Sequence, residues 1–392
     1  MTPSIACVGS ARLRVVGPVI VNGACDERFA TVKQAMASNL TSGADLGCSV
    51  AVVHEGELVV DLWGGHIDEA RLLPWSRDTV TCVFSTTKVM TALCMLVLAD
   101  RGDVDLHAPV AHYWPEFADA GKDRVELRHI LSHTAGLPTW SETVSVDDLL
   151  DWERVTSLLA AQPPCWEPGT AMGYHAVTYG YLVGEVVRRV TGQSVGRFFA
   201  DEIAAPLDVD FHIGTPESVD PRIAPVIPPE PGDDLGDPDS LARRVFTNPA
   251  VSPQELMSTA FRRAEIPAAN GVGNARSVAL AQAAVSCGTG NLLSDAGREA
   301  IFEVQAEDAD LVTGVPLRMG IGYGLTSELL TVSPNDRACF WAGSGGSLVV
   351  NDLDSRTTIA YVMNRMIDDR SDPYQRGASI VMATYASLAS AP

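Results

Sequence analysis

Apolar and polar positions follow two different rhythms along this chain, and the change of rhythm marks its elements. In "DERFATVKQAMASNL" (26–40) apolar residues recur at roughly helical spacing, whereas "CSVAVVHEGELVVDLWGG" (48–65) reads as two strands joined at the polar, glycine-containing "HEGE". A helix and then a hairpin are expected. "DTVTCVF" follows as a short strand or extended lead-in. Next, "STTKVMTALCMLVLADRGD" predicts one helix, with a serine at its start and Gly102 past its end. It is apolar nearly all round and so is expected to be buried.

From about 105 to 290 the signals are mostly helical with long polar loops, including "DDLLDWERVTSLLAAQ" and "AVTYGYLVGEVVRRVTG". The Pro, Gly and Asp-rich stretch "GTPESVDPRIAPVIPPEPGDDLGDPDS" (214–240) is too long for an ordinary connection and is expected to form a mobile wall or lid. Strand signals return at "RACFWAGSGGSLVVND" (337–352) and "TTIAYVMNRM" (357–366), before a closing helix in "DPYQRGASIVMATYASLAS". The expected division is an α/β lobe made from 1–104 and 286–392, with a mostly helical lobe, 105–285, inserted into it.

Composition narrows the partners. With 392 residues and 46 % hydrophobic content the chain can bury a large core. A formal charge of −21 argues against nucleic acid or an anionic membrane surface, both of which call for basic patches. The first 23 residues lack a basic start followed by an apolar run, and no apolar segment reaches about 18 residues, so a soluble, cytoplasmic protein is expected. The cysteines are scattered singly, without C-x-x-C spacing. Neither a zinc site nor a disulfide framework is indicated, and no cofactor is expected.

Candidate chemistry begins with a rarity. Of 28 basic residues only Lys33, Lys88 and Lys122 are lysines, and Lys88 lies in an apolar helix three residues after Ser85. Positions i and i+3 share a helix face, so the amine can reach the hydroxyl. The serine stands at the helix N-terminus, where free N–H groups and the dipole favour a developing oxyanion. A serine attacks a carbonyl only when a neighbour takes its proton, and an ordinary ammonium cannot do so. Burial lowers a lysine pKa, which makes Lys88 a credible partner. The plain alternative is a capping serine followed by a solvent-seeking lysine.

Six stretches occur in a telling order: "LWGG" (62–65), "FSTTK" (84–88), "LSHTAGLP" (131–138), "EPGTAMGYHAVTYGYLVGEVV" (167–187), "NGVGNARSVA" (270–279) and "WAGSGGS" (341–347). Together they resemble the serine β-lactamase and penicillin-binding-protein superfamily, whose S-x-x-K motif is matched by Ser85 and Lys88. Within it the chain is most similar to class C β-lactamases and especially to family VIII carboxylesterases, over roughly residues 28 to 385. The resemblance implies an α/β, β-lactamase-like fold, with an antiparallel sheet flanked by helices, a mostly helical lobe, and an active site between them.

It also implies roles. Ser85 would be the nucleophile, Lys88 its hydrogen-bonded partner, and Tyr174 the base that relays the proton to the leaving group. Trp341, Ala342 and Gly343 stand where the superfamily has K-T-G and would contact substrate. The backbone N–H groups of Ser85 and Ser344 would form an oxyanion hole. His175, beside Tyr174, is a further candidate for the pocket. A tryptophan in place of the K-T-G lysine, and Ala176 in place of the asparagine of Y-x-N, both argue against efficient β-lactam hydrolysis. A small-molecule ester is the expected substrate, with water as acceptor, or an amine or alcohol if the enzyme is a transacylase. A β-lactamase or D-peptidase and a non-catalytic relative are the remaining alternatives.

Two decoys are set aside. "GQSVG" (192–196) matches the nucleophile elbow, but it follows a helical run and precedes another, so Gly192 reads as a C-cap and Ser194 as the next N-cap. His129 and His133 in "HILSH" have zinc-helix spacing without the glutamate of H-E-x-x-H, and structural roles are expected for both.

Overall fold

Strand β2 (Gly47–His54) is buried along almost its whole length, and the reason is that it is covered on both faces. Its hairpin partner β3 (Glu57–Gly65) pairs on the other side with β1 (Val21–Cys25). A separate pair is made by β4 (Thr81–Cys82) and β5 (Val272–Gly273). The end of the chain supplies β6 (Ala306–Ala309), β7 (Pro316–Met319), β8 (Gly324–Leu325), β9 (Ala338–Ala342), β10 (Leu348–Asp352) and β11 (Thr357–Met363). The main sheet has nine strands in the order β1-β3-β2-β11-β10-β9-β8-β7-β6, antiparallel throughout. The computed structural model describes residues 20–229, 237, 239–367 and 375–390.

Alternation along β2 sends Cys48, Val50 and Val52 to one face, where with Ile359 and Tyr361 they meet Val32, Met36 and Leu40 of helix Ala30–Ser42 and Ile380 and Val381 of helix Gln375–Ala389. Ala51 and Val53 go to the other face, against helix Ala275–Ser286. Neither face sees water, so the strand reads as a continuous apolar run rather than an alternating one. Behind Ala275–Ser286 lies helix Thr87–Asp100, in which every residue from Thr87 to Leu98 is buried. Helix Thr178–Thr191 packs on its far side.

The expected elements are present, with three differences. Helix Ala275–Ser286 falls within the range assigned to the helical lobe, yet it packs on the sheet because its alanine-rich face fits closely over β2 and β11. Ser85 does not cap its helix through its side chain: it sits in a one-turn 3₁₀ segment, Phe84–Thr86, leading into Thr87. The described part of the expected mobile wall is tied to the fold by backbone hydrogen bonds. Val80 N–H donates to the Arg222 carbonyl, Ala224 N–H to that of Val80, and Met366 N–H to that of Ile227. The rest of that segment, 230–236 and 238, lies outside the described residues, as do 1–19 and the start of the closing segment, 368–374. Among the described residues no helix is long and apolar enough to cross a membrane.

A buried ion pair joins the closing helix to the chain just ahead of β2. Arg376 Nη1 donates to Asp45 Oδ1 (2.7 Å) and to the carbonyls of Ala44 and Arg365, while Nη2 donates to the Gly345 carbonyl (2.5 Å). Tyr361 adds its hydroxyl to the same Asp45 oxygen at 2.5 Å. With Arg376 3 % and Asp45 1 % exposed, removing the cation strands a carboxylate. Arg376→Leu is therefore expected to destabilise the fold by about 3–5 kcal/mol. The readout is the midpoint of urea unfolding. An unchanged midpoint would mean that Asp45 finds another partner or water.

Candidate active site

Ser85 owes its place to a tightly laced turn. Phe84, just before it, has φ +47°, a left-handed conformation that disfavours any L side chain by about 1–2 kcal/mol. The neighbours hold it there. Thr87 Oγ1 donates to the Phe84 carbonyl (2.5 Å) and accepts from Gly271 N–H (2.9 Å), while Val83 N–H donates to the Gly271 carbonyl (2.9 Å). From the other side Ser347 Oγ donates to the Val83 carbonyl (2.8 Å) and lies 2.9 Å from Thr86 Oγ1. A Cβ on Gly271 would come within 2.6 Å of Thr87 Oγ1, so glycine is required for this approach.

Three of the predicted residues meet at one point. Ser85 Oγ lies 2.5 Å from Tyr174 Oη and 3.1 Å from Lys88 Nζ, and Lys88 Nζ lies 2.8 Å from Tyr174 Oη. Lys88 also donates to the carbonyls of Ala176 (2.8 Å) and Ala268 (2.9 Å). Carbonyl oxygens only accept, so two N–H bonds of the amine are committed to them. What remains faces the two hydroxyls: a lone pair if the amine is neutral, a single proton if it is charged. No carboxylate is among these partners, and the side chain is 1 % exposed. Burial therefore pushes the Lys88 pKa well below the usual lysine range.

Strand β9 ends beside this triangle. A Cβ on Gly343 would stand 2.4 Å from the Val83 oxygen and 3.2 Å from the Ser85 nitrogen, so the backbone of residues 343–344 passes directly alongside Ser85. Ser344 is exposed there, following Gly343, whose N–H donates to the Ser347 carbonyl at 2.8 Å. The Ser344 N–H, the second of the two expected oxyanion donors, belongs to the backbone that follows Gly343.

The other expected contacts are revised. His175 is fully buried, its Nε2 accepting from Leu137 N–H (2.9 Å) and its Nδ1–H donating to the Gly173 carbonyl (2.6 Å). It is not available to substrate, and burial brings its pKa down to about 3. Trp341 is only 7 % exposed. Its indole stacks on His133 at 5.3 Å and lies 6.0 Å from the Tyr174 ring, so it backs the tyrosine rather than presenting a broad face to the pocket. The Ala342 side chain packs on the opposite face of the sheet, which leaves only its backbone for the site. Reading the sequence missed the two carbonyls that hold Lys88, since backbone acceptors have no signature in residue identity.

The decoys resolve as structure. Ser194 caps helix Val195–Phe199, accepting from Arg197 N–H, and donates to Glu265. His129 Nδ1 accepts from Glu126 N–H, and His133 Nδ1 from His175 N–H. Among the described residues no three His, Cys, Asp or Glu side chains are grouped to hold a metal.

A nine-stranded antiparallel sheet clasped by helices, with a serine, a buried lysine and a tyrosine converging at the start of the central helix, defines the β-lactamase-like class of enzymes. The chain matches the family model described as Beta-lactamase over residues 30–381 and belongs to that family. It is 35 % identical over 386 residues to the esterase/beta-lactamase LipL of Mycobacterium tuberculosis, covering 88 % of this chain and 83 % of LipL. Its structure is similar to that of a family VIII carboxylesterase (TM-score 0.87, 38 % identity, covering 94 % of this chain and 100 % of the other). It also resembles a penicillin-binding-protein homologue from Caulobacter crescentus (TM-score 0.86, 36 % identity, covering 94 % and 100 %). The chain is thus an enzyme of the serine β-lactamase and penicillin-binding-protein superfamily.

The buried amine makes Ser85 reactivity depend on pH in a defined direction. With its neutral form as the expected proton acceptor and its pKa well below the usual lysine value, reactivity is expected above that lowered value and is expected to be lost as pH falls through it. The rate of Ser85 labelling by a fluorophosphonate, followed by intact mass, is expected to show this acid limb. Lys88→Arg, which keeps its charge at every accessible pH, is expected to abolish labelling rather than shift the limb.

Proposed function

We propose that this enzyme is a carboxylesterase acting on small or medium-sized esters through a Ser85 acyl-enzyme. The observation that carries the reading is the Ser85–Lys88–Tyr174 triangle, with its lysine buried and lacking an acidic partner. Ser85 Oγ attacks the ester carbonyl and its proton passes to the Tyr174–Lys88 pair. The Ser85 and Ser344 N–H groups receive the carbonyl oxygen as it gains charge, and the alcohol leaves with the proton returned through Tyr174. Water, activated by the same pair, then releases the acid.

Preference for esters over β-lactams rests on what stands at two positions. Trp341 brings no cation to where the superfamily's K-T-G lysine meets a lactam carboxylate, and Ala176 brings no side-chain amide. The names of the similar proteins, an esterase/beta-lactamase and a family VIII carboxylesterase, support the same choice.

The test mixes wild type and Ser85→Ala with p-nitrophenyl butyrate, following p-nitrophenol release and intact mass with and without added amine. An acyl adduct on wild type that decays in water is expected, with release falling about 10⁴-fold or more in Ser85→Ala. An adduct that persists until the amine takes the acyl group would make the enzyme a transacylase. Release independent of Ser85 would overturn the reading.

A further inference from the structure

Tyr174 stands on irregular backbone ahead of helix Thr178–Thr191, yet the N–H groups on either side of it are both held by one distant residue, His133. Gly173 N–H donates to the His133 carbonyl at 3.1 Å, and His175 N–H donates to His133 Nδ1 at 3.1 Å. Between them, Tyr174 N–H faces the Asp310 carboxylate and favours its charged form. Next to Asp310, Leu311 N–H reaches back to the Met172 carbonyl at 2.9 Å. The segment 172–175 is thus anchored on both sides of Tyr174.

Both anchors are themselves fixed. His133 has φ +63°, a left-handed backbone that turns its carbonyl and its ring toward the same segment. The ring packs edge-on to Tyr174 at 5.2 Å and is stacked on Trp341. Burial keeps the imidazole well below its usual pKa, so Nδ1 retains the lone pair it needs as an acceptor. Asp310 is 3 % exposed, and its Oδ1 accepts from Val312 N–H (2.9 Å), Thr313 N–H (2.7 Å) and Thr313 Oγ1 (3.1 Å). It comes from the hairpin between β6 and β7, whereas His133 follows helix Leu127–Leu131. The two anchors thus come from separate parts of the chain.

We propose that His133 and Asp310 are the positioning residues of this active site, a clamp on backbone 173–175 that holds the Tyr174 hydroxyl against Ser85 and Lys88. The proposal rests on the Ser85 acyl-enzyme reading above. Its physical basis is that a hydroxyl at the end of a long side chain, on backbone without helical bonds, takes its position from what fixes that backbone as well as from what packs on its ring. A displacement of about 1 Å can cost about a hundredfold in rate.

The test compares steady-state kinetics on p-nitrophenyl butyrate. His133→Leu removes the side-chain acceptor, and Asp310→Ala removes the carboxylate. Each is expected to lower kcat by roughly 30- to 100-fold, with KM within about threefold of wild type. His133→Asn offers an oxygen near the position of Nδ1 and tolerates left-handed backbone, so it is expected to keep most of the rate. In a Tyr174→Phe background, adding His133→Leu should cost nothing further, because the clamp acts only through the tyrosine hydroxyl.

The clamp is overturned if His133→Leu matches His133→Asn, or if it costs as much without the Tyr174 hydroxyl as with it. Circular dichroism and thermal unfolding establish that each variant is folded. Should His133→Leu not fold, Asp310→Asn, which keeps the shape but loses the charge facing Tyr174 N–H, is carried through the same Tyr174→Phe comparison and decides by the same criterion. Ser85→Ala separates the two levels. If wild-type turnover does not need Ser85, the acyl-enzyme reading fails; if it does need Ser85 and the clamp variants behave as wild type, only the clamp fails.

Discussion

An amine buried with no counter-ion among the described residues is the constraint around which this site is built. Lys88 can sit inside the molecule because the carbonyls of Ala176 and Ala268 satisfy two of its N–H bonds. These carbonyls belong to chain segments nearly a hundred and nearly two hundred residues away. Both must arrive for the amine to be tolerated, and their arrival brings Tyr174 and the Gly271 turn up to Ser85. The all-round apolar character of helix Thr87–Asp100 has the same origin: it supplies the low dielectric that pushes the amine's pKa down.

Rigid elements surround the candidate site while the groups proposed to react sit on their ends and connections. Ser85 is in a 3₁₀ turn, Tyr174 precedes a helix, and Ser344 follows a strand. Such positions leave backbone N–H groups free of ladder duties, which an oxyanion site needs. They also lack precision of their own. Here it is restored by cross-links: Ser347 to Val83, Gly271 to Thr87, Arg376 to the Gly345 carbonyl.

Much of this was legible in the residues. Hairpin 48–65, the buried helix and the returning strands follow from periodicity, and S-x-x-K with the tyrosine element located Ser85, Lys88 and Tyr174. Rarity of lysine was a weaker guide than it looked. Lys122 is equally rare and equally buried, but its amine donates to the carbonyls of Asp119 (2.8 Å), Ala160 (2.9 Å) and Gln162, with no hydroxyl beside it. Its role is to tie down loops. What separates the two lysines is the identity of their acceptors, which spacing along the chain does not encode.

His175 and Trp341 illustrate the same boundary. Adjacency to Tyr174 and to Gly343 put both near the site, yet the direction of each side chain depends on what packs against it, and both turn inward to support the tyrosine. Asp310 carries no motif at all; it matters because a hairpin from the far end of the chain meets segment 172–175. The sequence by itself determined which side chains could do acyl transfer and which strands and helices would carry them, since these depend on residue type and local period. Only the tertiary structure decided the lowered pKa of Lys88, the orientation of Tyr174 and which side chains turn inward, because burial and backbone acceptors come from segments that meet only when the chain is folded.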